Sequence, residues 1–198
     1  MSLQTRLAAL ISAIGPDIKS LQAQIDMNYK AMLPTDADKC NMPFSLIVNN
    51  VSSLTSGRLT LVRCPVKKGE QINGISFFSV GAANTPTHQV FSLWDQNRNQ
   101  LAITGNDTTT AWGANTRKRL ALSTPYTPTA DTWLYVGIAV TASVVPTLGG
   151  VGTASQITGL APIMHGISSS TSITTPASHP ATAGALTALA GCPAVLLD

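Results

Sequence analysis

The stretch that decides the fold is LYVGIAV, residues 134 to 140. Large apolar side chains occupy every second position, so the even-numbered residues from Leu134 to Val140 share one face of an extended chain. Alternation of this kind is typical of a strand with one buried face. We therefore predict a central strand over residues 132 to 142. Its predicted core residues are Leu134, Val136, Ile138 and Val140.

Further short runs of this kind lie on both sides. In VFSLWD, residues 90 to 95, Phe91 and Leu93 point the same way and are predicted core residues. Turn-forming residues such as Asn84-Thr85-Pro86 separate the runs. Short strands at this spacing predict a mainly β fold over residues 44 to 198, an antiparallel β-sandwich resembling a jelly roll. The runs are 44–51, 58–63, 71–80, 89–95, 100–104, 117–123 and 133–141.

The chain after the last of these runs is low in sequence complexity, with runs such as GGVG at residues 149–152 and SSSTS at residues 168–172. Residues 144 to 179 contain no Asp, Glu, Lys or Arg, whereas disordered tails are normally charged. We expect this segment to form long irregular excursions that pack on the sandwich or on neighbouring subunits. The last residues, 193 to 198, are predicted to form a terminal strand within a sheet.

Residues 1 to 32 differ from the rest and are rich in Ala, Leu, Gln and Ile. Large apolar residues recur at intervals of three or four, which predicts a helix with one narrow apolar stripe. The stripe repeats about every 11 residues, a period that favours a nearly straight or right-handed coiled coil. We predict self-association through this stripe, in preference to packing on the chain's own β domain. Its members are Leu3, Leu7, Leu10, Ile14, Ile18, Leu21 and Ile25.

Gly15 and Pro16 interrupt this helical pattern. A proline inside a helix removes one backbone hydrogen bond and costs about 3 kcal/mol. One arrangement is a kinked continuous helix, and the other is a helix capped by Gly15 with a second helix beginning at Pro16. The hydrophobic period runs through the break in phase, which favours the continuous helix. Residues 33 to 43, LPTDADKCNMP, form a predicted linker.

Composition limits the classes of function. The 12 basic and 9 acidic residues are scattered and give a net charge of only +3, so nucleic-acid binding is not predicted. Membrane insertion and secretion are not predicted either, because no run approaches roughly 20 apolar residues and no cleavage signal follows residues 7 to 14. Cys40, Cys64 and Cys192 have no metal-ligand spacing and are predicted to be reduced, mostly buried thiols. We expect folding in a reducing cytoplasm, followed by assembly.

No catalytic motif is recognisable. Nucleophile-elbow, zinc-protease and phosphate-loop patterns are missing from the sequence, so we predict no enzyme activity and no cofactor. The three histidines are far apart and are expected in loops or at the surface. Residues 95 to 99, DQNRN, imitate the start of a calcium loop but lack its glycine and closing glutamate. A hairpin turn is therefore favoured, and no metal is predicted.

Two aromatic residues are candidates for ligand binding, because exposed rings can act as stacking platforms for sugars. Trp112 lies in a predicted loop between a threonine run and Gly113-Ala114-Asn115. Tyr126 lies in a predicted turn region. For Trp112, packing of the ring over an edge of the sandwich is the alternative that we favour.

Three stretches resemble one family of proteins. Residues 7 to 21 look like its N-terminal coiled coil, residues 69 to 78 with 85 to 95 are similar to a second segment, and residues 111–112, 125–126 and 133–138 are similar to its central sandwich. On these residues the chain resembles small virion proteins of tailed phages of actinobacteria, of the minor tail or fibre type. The resemblance implies that the helix forms a homotrimer and attaches a β head to other virion proteins.

The sequence therefore predicts a non-enzymatic structural protein of a phage virion. In the first interpretation the protein is a trimeric, fibre-like tail protein whose head attaches to the host surface, where a glycan is the expected ligand. In the alternative it is a capsid decoration or head fibre protein with a purely architectural role. A depolymerase that acts on host glycan is a distant third interpretation.

Overall fold

The computed structural model describes residues 4, 5, 7, 10, 12, 14–21, 39–43, 46–108, 110–152 and 163–198. The chain divides into two compact units, Met1–Asp36 and Ala37–Asp198, and each is described by itself. Leu3 and Ile25 of the predicted stripe lie outside the described residues, as do residues 33–38 of the predicted linker.

The first unit is helical at every described position. Residues 14–21 form an unbroken helical run that includes both Gly15 and Pro16. Gly15 does not adopt the left-handed conformation with which glycine caps a helix. The continuous helix is therefore confirmed over this run, and a helix end at Gly15 is wrong.

The described members of the apolar stripe are all exposed. The exposed fraction ranges from 45% for Ile14 to 60% for Ile18, with Leu7, Leu10 and Leu21 between these values. Self-association through them stays a prediction. Among the residues that the structure describes, no helix is long and apolar enough to cross a membrane.

The second unit is mainly β, with two antiparallel sheets in a sandwich-like arrangement. A 3₁₀ turn covers Pro176–Ser178. The strands are β1 (Lys39–Cys40), β2 (Val48–Ser53), β3 (Arg58–Val66), β4 (Ile72–Gly81), β5 (Asn84–Trp94), β6 (Gln100–Ile103), β7 (Thr116–Tyr126), β8 (Thr132–Val144), β9 (Thr147–Gly152), β10 (His165–Ser168), β11 (Leu186–Ala188), β12 (Gly191–Pro193) and β13 (Val195–Leu197).

The two sheets share the strands almost equally. The first sheet has the order β1-β13-β4-β9-β12, with β2 paired to β9 and β7 paired to β4. The second sheet has the order β11-β10-β3-β8-β5-β6. Strand β8 pairs with β3 on one side and with β5 on the other, which confirms the predicted central strand. Strand β13 pairs with β1 and β4, which confirms the predicted terminal strand.

The main core fills the space between the two sheets. All the predicted core residues of β5 and β8 belong to it and are at most 2% exposed. Phe77 on β4 faces Phe91 on β5 with ring centroids 5.0 Å apart. Burial of such a side chain contributes about 1.5–3 kcal/mol. The predicted core positions of both strands are confirmed: Phe91, Leu93, Leu134, Val136, Ile138 and Val140.

Gly137 interrupts the outward-facing side of β8 for a steric reason. A Cβ atom at this position would lie 2.5 Å from the Ser92 Oγ and 2.7 Å from the Trp94 Nε1. The Trp94 indole N–H donates a hydrogen bond to that Oγ at 2.7 Å. The absence of a side chain at Gly137 therefore leaves room for the hydrogen-bonded Trp94 and Ser92 side chains.

Part of the outer face of the second sheet is covered by residues 172 to 185, which we name the strap. Ile173 and Ala183 of the strap pack in a second apolar cluster with side chains of β3, β5 and β8. The Ile173 N–H donates to the Gly57 carbonyl at 3.0 Å, and the Ala183 N–H donates to the Arg98 carbonyl at 2.9 Å. Ile173 of the uncharged segment thus packs on the sandwich, as expected. The expectation of irregular structure is wrong for Thr147–Gly152 and His165–Ser168, which are strands β9 and β10 within the two sheets.

Two predicted boundaries are wrong. Asn84-Thr85-Pro86 was predicted as a turn but lies in β5, where Asn84 pairs with Val144 and Pro86 with Ala142. Part of the predicted linker is also strand, because Lys39 and Cys40 pair with Leu197 and Leu196. A proline and a short run of charges both suggest irregular structure to a reader of the sequence alone.

Among the described residues, Cys40, Cys64 and Cys192 form no disulfide bond. Cys40 and Cys64 are buried and Cys192 is half-buried. Burial raises the pKa of the Cys192 thiol to about 12, and it raises the pKa of the Cys64 thiol as well. Both groups are therefore neutral and weakly nucleophilic at physiological pH.

Candidate functional site

Three loops meet at one end of the sandwich. These are the β3–β4 loop, the β5–β6 loop and the β7–β8 loop. The Lys68 N–H donates to the Asp131 carboxylate at 2.8 Å, and the Gly69 N–H donates to the Pro128 carbonyl at 2.9 Å. The Gln96 side-chain amide donates to the Thr132 hydroxyl at 2.8 Å. These bonds fix the loops relative to one another, and we name this region the loop end.

The loop end contains an open cleft of about 290 Å³. Tyr126, half-buried at the end of β7, supplies its aromatic wall, and Leu101 and Leu134 supply apolar surface. The polar lining residues are Asp95, Gln96, Asn97, Thr129 and Thr132. A ring beside hydroxyl, amide and carboxylate groups suits a small ligand that has both apolar and polar faces, such as a sugar.

Asp95 is held in place by its own turn. Its carboxylate accepts hydrogen bonds from the Asn99 backbone N–H at 2.8 Å and from the Asn99 side-chain amide at 2.9 Å. Slight burial raises the pKa of Asp95, but the hydrogen bonds from Asn99 and from the Asn97 and Arg98 backbone together lower it by more, so the net pKa is below its ordinary value. The group is therefore a fixed, ionised acceptor at the cleft.

The resemblance of residues 95 to 99 to a calcium loop does not extend to the structure. Arg98 adopts a left-handed conformation with φ of 68°, and the Asn99 side chain is engaged by Asp95 and Thr182. The segment joins β5 to β6, which confirms the predicted hairpin turn. Among the described residues, no group of three or more His, Cys, Asp or Glu side chains could hold a metal ion.

Trp112 does not reach the cleft, and its prediction as an exposed stacking platform is wrong. The side chain is only 1% exposed and belongs to the main core. Its ring centroid lies 5.9 Å from that of Phe91, and the Lys118 Nζ lies 5.9 Å from the ring centroid. The favoured alternative, a ring packed against the sandwich, describes its position.

The loop that carries Trp112 is held by a buried ion pair. Lys118 is 7% exposed, and its Nζ lies 2.6 Å from the Asp107 carboxylate. The same ammonium donates to the Thr110 carbonyl at 3.0 Å. Gln89 also donates to the Asp107 and Thr110 carbonyls from its side-chain amide. These contacts hold the loop, and with it Trp112, against the core. The sequence around Trp112 contains no local pattern that predicts them.

Trp133 is the exposed tryptophan that the sequence did not single out. Its side chain is 42% exposed, whereas those of Trp94 and Trp112 are buried. It directly precedes the apolar alternation of residues 134 to 140, which predicts a strand, so the sequence favours a structural role over binding at this position. A signal was present, because Trp133 falls on the odd-numbered face of β8, opposite the core face.

Two histidines that are distant in the sequence meet where His179 of the strap packs on His88 of β5. The expectation of a loop or surface position is wrong for His88 and His165, which are buried in strands. The His88 Nε2 lies 3.0 Å from the His179 Nε2, which is hydrogen-bonding distance when one ring donates and the other accepts. Burial lowers the pKa of His179 to about 4, assisted by repulsion from His88. Burial also lowers the pKa of His88, more than its hydrogen bond with Asn106 raises it. His165 lies apart and bonds to the Leu189 carbonyl at 2.8 Å.

We predict that the histidine pair makes stability fall in mild acid. Both rings are neutral in the folded protein, whereas unfolded histidine takes up a proton below a pKa of about 6.5. Stability is therefore complete above pH 6.5 and falls as the pH decreases towards 4. His179→Gln should reduce this loss by roughly 1–2 kcal/mol, after allowance for partial exposure. Urea unfolding at pH 7 and pH 4.5 measures it.

The control for this prediction is His165→Gln, which removes a histidine outside the pair. Burial also lowers the pKa of His165, so His165→Gln should remove the contribution of His165 to the pH dependence of stability. It should retain the larger part, which belongs to His88 and His179. Equal pH dependence in native protein and His179→Gln would contradict the assignment.

No protein-family model matches the chain, and no curated protein matches it either.

Proposed function

We propose that the protein is a non-enzymatic structural protein of a phage virion, with a helix that forms a homotrimer and a β head that attaches to the host surface. The observation that carries the proposal is the exposed apolar stripe of the helix, formed by Leu7, Leu10, Ile14, Ile18 and Leu21. The particle context and the trimeric state come from the resemblance of the sequence to actinobacterial phage tail proteins.

The stripe supports self-association on energetic grounds. Each half-exposed Leu or Ile gains roughly 1 kcal/mol when a partner helix removes the rest of its surface from water. The five described stripe residues would contribute in every chain of a trimer. The 11-residue period keeps these residues in register along a nearly straight bundle.

The strand order supports a jelly-roll head. In the first sheet, β2 pairs with β9, β9 with β4, and β4 with β7. In the second, β3 pairs with β8, β8 with β5, and β5 with β6. If β2 to β9 are counted as strands one to eight, the sheets read 1-8-3-6 and 2-7-4-5, the order expected of a jelly roll. Jelly rolls are common in viral capsid and lectin domains.

The cleft at the loop end supports attachment to a glycan. Tyr126 offers a ring face, and Asp95 and Asn97 offer hydrogen-bonding groups beside it. Loops fixed on a rigid sandwich are where recognition residues are usually found. Of the two ligand residues predicted from the sequence, Trp112 and Tyr126, only Tyr126 lines this cleft.

Binding of the labelled protein to actinobacterial cell walls tests the attachment function. We expect Tyr126→Ala to weaken binding about tenfold, because it removes the ring that a sugar would stack on. Tyr126→Phe keeps the ring and should bind within about threefold of the native protein. Asn97→Ala, at an exposed turn position, tests the cleft without disturbing the core. Undiminished binding by both alanine variants would exclude the cleft.

A capsid decoration or head fibre protein with an architectural role is the second candidate. The burial of Trp112 favours it, because one of the two predicted ligand residues is unavailable at the surface. Failure of the native protein to bind any cell-wall preparation would support this candidate over attachment.

A further inference from the structure

The outer face of the second sheet carries an exposed aromatic ring next to a guanidinium group. Trp133 lies at the start of β8, and Arg63 lies on the neighbouring strand β3. The Arg63 Cζ is 5.3 Å from the Trp133 ring centroid and 5.7 Å from the Tyr135 ring centroid. Arg63 also donates from Nη1 to the Met164 Sδ at 3.7 Å. We name Arg63, Trp133 and Met164 the aromatic–arginine patch.

The patch is both accessible and held in shape. Trp133 is 42% exposed and Met164 is 46% exposed. Below them, Tyr135 is 5% exposed, and its hydroxyl donates to the Ile163 carbonyl at 2.7 Å. Arg63 pairs with Tyr135 in the register of β3 and β8, so its backbone is fixed by the sheet. The guanidinium is therefore positioned by two rings before any ligand arrives.

Arg63 has no carboxylate partner among the described residues. The described ion pairs join Lys39 to Glu70, Lys118 to Asp107 and Arg119 to Asp198. Two further carboxylates of the β unit are engaged locally, Asp95 by Asn99 and Asp131 by the Lys68 N–H. The Arg63 guanidinium thus presents donors whose charge is not matched within the described β unit.

We propose that this patch binds an anionic saccharide, a sugar unit that carries a carboxylate or a phosphate. The exposed indole provides a stacking surface for the apolar face of a sugar ring. The planar guanidinium provides paired donors that fit a carboxylate or phosphate, and these charge-assisted bonds are the stronger part of the contact. The inference names the ligand class of the proposed attachment function and rests on it, but it assigns a surface separate from the Tyr126 cleft.

Tryptophan fluorescence gives a direct test. Trp94 and Trp112 are buried, so quenching by acrylamide reports mainly on Trp133. Trigalacturonic acid, a carboxylate sugar, and glucose 6-phosphate, a phosphate sugar, are the two anionic probes. We expect at least one of them to protect Trp133 in a saturable manner, whereas neutral galactotriose and glucose should protect at least about tenfold less effectively. Comparison of the two anionic probes identifies the anionic group.

Variants of the full chain distinguish the patch from general charge effects. Arg63→Gln should weaken protection by the anionic sugar about tenfold or more, and Arg63→Lys should restore it only in part, because lysine lacks the planar fork. Lys68→Gln removes one positive charge from an exposed position outside the patch and should change protection less than twofold. Equal protection by neutral and anionic sugars, or unchanged protection in Arg63→Gln, would overturn the proposal.

The same variants in the cell-wall assay separate the two proposals. If the native protein and Arg63→Gln bind cell walls equally well and no anionic sugar protects Trp133, the patch is excluded while attachment stands. If no protein binds cell walls but an anionic sugar protects Trp133, the patch stands and attachment to cell walls is excluded.

Discussion

Protein carrying Ile14→Asp and Ile18→Asp is expected to sediment as a monomer of 20.6 kDa, whereas the unmodified chain is expected at about three times that mass. Both side chains belong to the exposed stripe. In a trimer the two substitutions would place six carboxylates along an apolar seam, and burial of an unpaired charge costs several kcal/mol. Analytical ultracentrifugation over a range of concentrations measures the mass.

The matched control is Ser12→Asp with Ser20→Asp. These positions are helical and exposed, and the helical period places both outside the stripe. The control adds the same charge and should retain the mass of the native assembly. Persistence of the native mass in the stripe variant would sink the association proposal. If the control also dissociates, the loss of the trimer is caused by the added charge and not by disruption of the stripe.

The parts of the fold that the sequence predicts are those with a regular period. The alternation from Leu134 to Val140 identifies a strand with one buried face, and Phe91 and Leu93 identify the partner surface. Period-two alternation is a local property, so a reader can find it without knowing which strands pair. The order of the strands in the two sheets has no such local signal, because it depends on pairings between distant residues.

Pro86 shows why local turn signals mislead. Proline cannot donate a ladder hydrogen bond, so Asn84-Thr85-Pro86 predicts a turn. In the structure, β6 pairs with β5 only from Ser92 onward, so the first residues of β5 have a partner on the β8 side alone. The register of β5 and β8 also shifts between Pro86 and His88. An irregular strand end with one partner accommodates the missing N–H.

The candidate sites depend still more on distant contacts. Trp112 is turned into the core by an ion pair of Lys118, and His88 meets His179 only because the strap returns across the outer face. Neither contact has a sequence spacing that predicts it. Tyr126 is predicted as a ligand residue because it lies in a predicted turn region. Trp133 is not predicted as one because it lies in a predicted strand. Exposure of a ring on the outer face of a strand is therefore the feature to look for.

We expect Trp112→Ala to lower the free energy of unfolding by about 3–5 kcal/mol. The substitution removes a large ring from the main core and ends its contact with Phe91. The substitution also removes the ring face over which the buried Lys118 ammonium lies, so this charge loses its cation–π contact. Urea unfolding followed by far-UV circular dichroism measures the change.

Trp133→Ala is the matched control because it deletes the same side chain from the surface. It should cost no more than about 1 kcal/mol, since the ring is 42% exposed and an exposed cation–π contact such as that with Arg63 contributes about 0.5–1 kcal/mol. Trp112→Ala should lose stability, whereas Trp133→Ala should keep stability and lose affinity for the anionic sugar. Isothermal titration calorimetry measures this affinity, because Trp133→Ala lacks the fluorescent reporter. A Trp112→Ala protein that kept native stability but lost cell-wall binding would reverse this assignment and return Trp112 to the surface as a ligand residue.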